Sequence, residues 1–460
     1  MRFRGQVGWS LLLLAIVVAG AVYLQREVGP KASAAASSNA APSGAWFCPH
    51  GGGAEWAVTL ELANPGATPV GVRVTGLSGR RPSTPQSFTV PPGAELLVDQ
   101  AAEERDSASF IEYFGGWVAA GWVIHAGGGE KGVGAEPCLP RAAQQWFVPD
   151  GLTTERQDAF VVIMNPFATD AILTLTLYTQ KRAPITAGAW TNVVLAPHRS
   201  QAFRLNATAL GEEVVSTLVD VKVGRVAAAS LGLAELGGIR SSIGVAGSPP
   251  RRTILPAGFA QGASTLVAMN TGDARPELEA TMLSKKTSQP LGSLVQNAPN
   301  AGSAQPYPVS MEEPSAIDVR STPGTVVALR TLGISADQGS TGGASAPAAH
   351  WVVLPSIAGT PAHPGLILAN PGDVPAAVQL SLLPSSPGIV PPPVTVTVRP
   401  GRVVAGPKLF VTAKPFAAIL VTAESGTLVP AAASYSLGQD GNATYAVSLG
   451  VPIPDSWMPS

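Results

Sequence analysis

From residue 46 onward, four features recur in all four units and a fifth in three of them, in the same order and at intervals of about one hundred residues. Each unit opens with a short hydrophobic strand ending in proline: Trp46-Phe47-Cys48-Pro49, Trp146-Phe147-Val148-Pro149, Thr253-Ile254-Leu255-Pro256 and Val352-Val353-Leu354-Pro355. An alternating strand then stops at Asn64-Pro65, Asn165-Pro166, Asn270-Thr271 or Asn370-Pro371. Asn tolerates turn geometry and Pro cannot donate to a ladder, so each pair ends a strand and begins a loop. A second alternating strand follows at Val70–Val74, Ala171–Leu177, Glu277–Met282 and Ala376–Leu382. Three units next show a strand closed by a proline turn, at Pro92-Gly93, Pro197-His198 and Pro400-Gly401. Late in each unit two apolar, β-rich runs meet at a glycine, Gly116, Gly224, Gly324 and Gly426, spaced by 108, 100 and 102 residues.

A chain with this repeat has to bury one face of every alternating strand, and two antiparallel sheets packed face to face do so within about a hundred residues. The expected fold class is all-β: tandem immunoglobulin-like β-sandwich modules following one N-terminal transmembrane helix, with a jelly-roll-type sandwich as the second reading. The interval is longer than the roughly 40–50 residues of a propeller blade, which ranks that architecture lower. Modules are expected at 46–140, 141–249, 250–336 and 350–456. The third is irregular, with a polar insertion at 295–308, and 337–349 (DQGSTGGASAPAA) reads as a flexible linker. Composition agrees with turn-rich β structure: 50 Gly and 43 Pro, and only 13% charged residues.

The chain before the repeat is different. Residues 7–24 (VGWSLLLLAIVVAGAVYL) carry no charge and follow Arg2 and Arg4. The positive-inside rule then places residues 1–6 as a cytoplasmic tip, 7–24 as a transmembrane signal anchor, and the remainder outside the cytoplasm. The alternative is secretion after cleavage near Ala32-Ser33-Ala34. Residues 25–45 read as an Ala/Ser-rich spacer. Cys48 and Cys138 are the two cysteines, in the opening strand and closing stretch of the first module. Sandwiches often bring those strands together, so a Cys48–Cys138 disulfide is expected, with two buried thiols as the alternative.

Motifs that carry chemistry are absent from the sequence. His50-Gly51-Gly52-Gly53 resembles an esterase oxyanion loop, yet the chain has no Gly-x-Ser-x-Gly elbow to go with it. None of the five histidines stand at metal-ligand spacing, and there is no Walker loop, dinucleotide fingerprint or EF-hand. No catalytic residue, metal or cofactor is therefore expected. A net charge of −1 offers no basic face for phosphates, which excludes nucleic acid. Five of the nine tryptophans lie at or beside the first module: Trp46, Trp56, Trp117, Trp122 and Trp146. Packing is the first reading, and contact of Trp56, Trp117 and Trp122 with sugar rings is the second.

The anchor, the WFCP opening, the Asn-Pro and proline-turn strands and the Val223-Gly224-Arg225-Val226 hairpin resemble an uncharacterised actinobacterial family of exported envelope proteins. The resemblance covers most of the chain and implies location and fold; it implies no activity. The expected function is that of a non-enzymatic, membrane-anchored extracytoplasmic interaction or scaffold protein of the cell envelope, with a protein or glycan partner. Two alternatives stand beside it: an accessory carbohydrate-binding protein for envelope glycan assembly, and an enzyme with a site between modules.

Overall fold

A computed structural model describes residues 44–457 apart from 236–237, 259–261, 293–295, 312–313, 323, 333–337, 355–361, 387–389, 408–416 and 438–442. The expected tip, anchor and most of the spacer lie outside the described residues. Among those described, no helix is long and apolar enough to cross a membrane.

The first module sets the pattern. Its strands are β1 (Gly44–Cys48), β2 (Ala57–Asn64), β3 (Val70–Leu77), β4 (Gln86–Val90), β5 (Ala94–Ala101), β6 (Ala108–Phe114), β7 (Ala119–Ala126) and β8 (Gly132–Pro137). They form two antiparallel sheets, ordered β1-β6-β3-β4 and β5-β2-β7-β8. The other three modules repeat this with two sheets of four or five strands each. The all-β expectation therefore holds, as β-sandwich repeats. The strand order is not that of an immunoglobulin domain, in which the first, second, fifth and fourth strands share a sheet. Here β1 pairs with β6 while β2 lies in the opposite sheet, because the chain crosses between sheets at nearly every step.

Alternation works on β3, where Val70, Val72 and Val74 are buried and Arg73 is exposed. It fails on β7, whose first six residues, Ala119 to Ile124, are all buried. The β7 sheet is covered on both faces, by its partner sheet and by another module.

That second cover closes the chain into a ring. Phe47 of the first module stacks on Phe110 at 5.5 Å and lies 6.4 Å from Phe167 of the second. Phe147 and Tyr178 of the second module pack with Val267 and Met269 of the third. Leu283 and Ala316 of the third pack with Ile367 and Ala431 of the fourth. Leu354, Leu383 and Ala418 of the fourth join the core of the first, where the Glu95 amide also donates to the Pro384 carbonyl at 3.0 Å. Residues 43–460 form one compact unit. Eight sheets thus succeed one another face to face around one axis, two from each module. This is the layout of a propeller, with the strands of each pair of sheets interleaved along the chain. The interleaving doubles the sequence period from one sheet to two.

The last strand of each module's second sheet lies at the axis. These are β8, Ile239–Ile243, Gln338–Thr341 and Ala443–Leu449. Their small residues allow close approach: a Cβ on Gly134 would meet Ser241 Oγ at 2.8 Å, and one on Gly339 would meet the Tyr445 ring at 2.7 Å. The expected linker at 337–349 is overturned here. Gln338–Thr341 is a fully buried axial strand paired to Thr325–Leu332, and Ala344 bridges to Ile254. Its Gly and Ser residues serve close packing.

The four turn asparagines are buried latches. The side-chain amides of Asn64, Asn165, Asn270 and Asn370 donate to the carbonyls of Thr68, Thr169, Ala274 and Val374 at 2.8–2.9 Å. Each also reaches across to the strand-closing turn, as Asn370 does to the Val398 carbonyl at 2.9 Å. Each Oδ1 accepts the amide two residues on, Gly66 for Asn64. Asn165→Ala is expected to cost about 2–3 kcal/mol, since it leaves buried main-chain groups unpaired. Urea titration would measure it, and a cost near that of a surface substitution would refute the latch.

Candidate functional site

After its axial strand, each module turns back and lays a short segment along its own opening strand. The pairs are Leu139 on Phe47, Val245 on Phe147, Ala344 on Ile254 and Val451 on Val352. In the first module the Cys48–Cys138 disulfide, with an S–S distance of 2.05 Å, joins the same two segments covalently. These four returns surround the axis at one end of the ring and wall a pocket of about 650 Å³, within the range of small-molecule sites.

Structural equivalence places Trp46, Trp146, Thr253 and Trp351 at the same position of the four opening strands, all lining the pocket. Trp351 escapes a sequence alignment on proline, because the fourth module has one more residue between its tryptophan and that proline. The ladder settles the register, since Trp351 faces Pro452 as Trp146 faces Ala246. The indole N–H groups of Trp46, Trp146 and Trp351 donate to the carbonyls of Val118, Val226 and Ala348 at 2.7–3.0 Å. Trp117 meets Trp46 edge-on at 6.2 Å. Among the lining residues the charged one is Arg141, exposed at the rim, where it donates to the Ala246 carbonyl at 3.0 Å.

The tryptophans considered for sugar contact are core residues: Trp56, Trp117 and Trp122 are 7%, 5% and 0% exposed. Arg105 lies over the Trp56 ring at 4.7 Å. Trp122 sits on β7, a strand covered on both faces. It pairs with Leu60 inside the first module's own core, and Trp56 lies under Arg105, so neither offers a free ring face to a glycan. Trp117 lies on the wall of the axial pocket.

His50-Gly51-Gly52-Gly53 is a packed loop. The Gly51 and Gly53 amides donate to the Ser107 and Ala102 carbonyls at 2.8 Å, so neither is free to hold an oxyanion. His50 is buried against the Gly51 carbonyl and Ser109 Oγ. Burial lowers its pKa to about 4, against a partial offset from the Gly51 bond. Among the described residues no cluster could hold a metal ion.

Other buried ionisable groups lie between modules and were not singled out by the sequence. Asp150, after the second opening strand, is held between Arg330 of the third module and Arg240 of the axial strand Ile239–Ile243. Arg330 Nε donates to Asp150 at 3.0 Å and its second nitrogen also bonds the carboxylate. Burial alone would raise the Asp150 pKa; Arg330 and Arg240 outweigh it and lower it. Glu95 lies at the junction of first and fourth modules, where its carboxylate accepts the Ala418 amide at 3.2 Å. Burial and the nearby Glu61 raise its pKa well above 4.5. Glu136 on β8 is raised well above 4.5 by burial, and the Ile243 backbone approaches it without completing a hydrogen bond.

Raised carboxylates and a depressed histidine act in opposite directions on stability. The contribution of Glu136 is fully present below its unfolded value near 4.5 and is lost as pH rises through its folded value. That of neutral His50 is present above 6.5 and is lost as pH falls toward 4. Glu136→Gln is therefore expected to raise stability at pH 8 by about 1–3 kcal/mol, the scale of a poorly paired buried polar group, and to leave it unchanged at pH 4. Thermal melts at both values test this; an equal gain at pH 4 would contradict it.

Residues 113–306 match a family of unknown function (DUF5719). The match runs from β6 of the first module into the third, across two module junctions. A comparison with curated proteins finds no match. Among solved structures, one similar chain is a Ca²⁺-stabilised adhesin that helps an Antarctic bacterium reach out and bind ice. It shares 11% identity over 84% of this chain and 94% of that one, with a TM-score of 0.11. Another is a tetra-tandem repeat from the extending region of a large adhesion protein, at 11% identity over 85% and 93%, also with a TM-score of 0.11. At these scores nothing is carried over from either.

Proposed function

We propose that this protein is a non-enzymatic interaction module of the cell envelope, held to the membrane by residues 7–24, whose ring presents the axial pocket to a partner outside the cytoplasm. The observation that carries this reading is that all four modules contribute equivalent return segments and opening strands to one apolar pocket. Apolar concave sites of this size, placed where repeated units converge, are the usual location of a binding function. The chemistry of the lining supports binding over catalysis, since its charge comes from Arg141 and the N–H donors of Trp46, Trp146 and Trp351 are already spent on main-chain carbonyls. The disulfide supports an oxidising compartment. The finer kinship with exported actinobacterial envelope proteins belongs to this reading as well.

A photo-crosslinking amino acid at Ala346, exposed on the pocket rim, is expected to capture an envelope component in native membranes. The same group at Val194, 59% exposed and remote from the pocket lining, should capture none. Equal capture from both positions, or none from Ala346, would overturn the reading.

A further inference from the structure

The axial pocket has apolar walls and one basic group on its rim. A sugar would need many convergent donors and acceptors. The three equivalent indoles give none, since their N–H groups are bonded to Val118, Val226 and Ala348, and the polar side chains among the rest, such as Tyr113, Ser248 and Ser345, are few beside the apolar lining. An extended peptide would need main-chain partners, yet Phe47 and Leu139 already exchange amide and carbonyl bonds at 2.8–2.9 Å. What the walls offer is apolar contact with nearly buried indoles, proline rings and small aliphatic groups. That suits a hydrocarbon chain.

The rim adds a charge preference. Arg141 is exposed, and its bond to the Ala246 carbonyl fixes the guanidinium beside the pocket. The whole chain carries a net charge of −1, so attraction of an anion here is local. A guanidinium matches a phosphate in geometry and charge.

The chain also limits where the ligand comes from. Ala45 lines the pocket, so the described chain starts at its edge. The 20 peptide links from Leu24 to Gly44 span at most about 70 Å even when fully extended. An uncharged stretch of 18 residues, long enough for a bilayer, thus precedes the pocket-lining Ala45 by a short stretch of sequence.

We infer that the axial pocket takes the acyl chain of an anionic membrane lipid, with Arg141 holding the phosphate of its head group. This rests on the proposal that the pocket is the binding site. The test uses the full-length Trp9→Phe chain, which removes the tryptophan of the apolar stretch, in vesicles containing phosphatidylglycerol or phosphatidylcholine with brominated acyl chains. Pocket tryptophans should be quenched by the brominated phosphatidylglycerol at a roughly fivefold lower lipid fraction than by brominated phosphatidylcholine, which is what one basic side chain at an anionic surface supplies. Arg141→Gln should erase that preference. Ala346→Phe, which fills the mouth from an exposed position, should abolish the quenching by both lipids. Equal quenching by the two lipids, or quenching that Ala346→Phe leaves intact, would overturn the inference. Specific crosslinking from Ala346 in the absence of lipid quenching would leave the pocket as a binding site and remove the lipid; loss of both would remove both.

Discussion

Asp150→Ala is expected to destabilise the ring by about 3–5 kcal/mol, the cost of stripping one partner from a buried ionic network. Asp150 is 3% exposed, and Arg240 and Arg330 are 2% and 6% exposed. Without the carboxylate, two guanidinium groups face each other in a water-poor junction of the second and third modules. Arg330 would keep its bonds to the Glu213 and Gly151 carbonyls, at 3.3 and 3.2 Å, and Arg240 its bonds to Gln157 and Gln338. These carbonyl and amide oxygens carry no net charge to offset the two cations. Equilibrium urea unfolding of the full-length chain measures the effect. A cost below about 1 kcal/mol would place the pair with exposed salt bridges, whose worth is in that range. Because the network joins modules through the axial strand Ile239–Ile243, the variant should also raise amide exchange along that strand.

Removing the disulfide with Cys48→Ser and Cys138→Ser is expected to cost about 4 kcal/mol, from the entropy the unfolded chain regains when a loop of this length is opened. The two half-cystines are 90 residues apart. Beyond that general term, the bond holds Leu139 and Phe47 in register at the pocket wall. The double variant should therefore lose both unfolding free energy and capture from Ala346. Reduction of the native protein should reproduce both losses. Unchanged stability in the double variant would show that the return segment is held by its main-chain bonds alone.

Much of this architecture is legible in the sequence. The Asn-Pro stops, the proline turns and the hairpin glycines mark strands and loops, because backbone geometry at those positions restricts which residues can serve. The hairpin reading errs by one residue in the first module, where Gly115 takes the left-handed conformation at φ 82°, as Gly224, Gly324 and Gly426 do in theirs. The pairing of Cys48 with Cys138 is legible too, because opening and closing strands of a sandwich meet. The small-residue runs of β7 and of Ala227–Ala234 carried a signal for close packing on both faces. They read as hairpin arms, since periodicity cannot tell a strand covered twice from any other apolar run. The segment 337–349 reads as a linker for a similar reason. Gly and Ser suit a flexible chain and a crowded axis equally well.

The sequence by itself determined that this chain is a fourfold repeat of β modules, where each turns, and which cysteines join. Local backbone restraint and the pattern of burial decide those things, and both are written residue by residue. Only the tertiary structure decided that the modules close into a ring. Closure depends on contacts between residues some hundred to three hundred positions apart, such as Asp150 with Arg330 and Glu95 with Ala418. It was closure that set Trp351 with Trp46 and Trp146 around one axis and made one pocket from the ends of four modules.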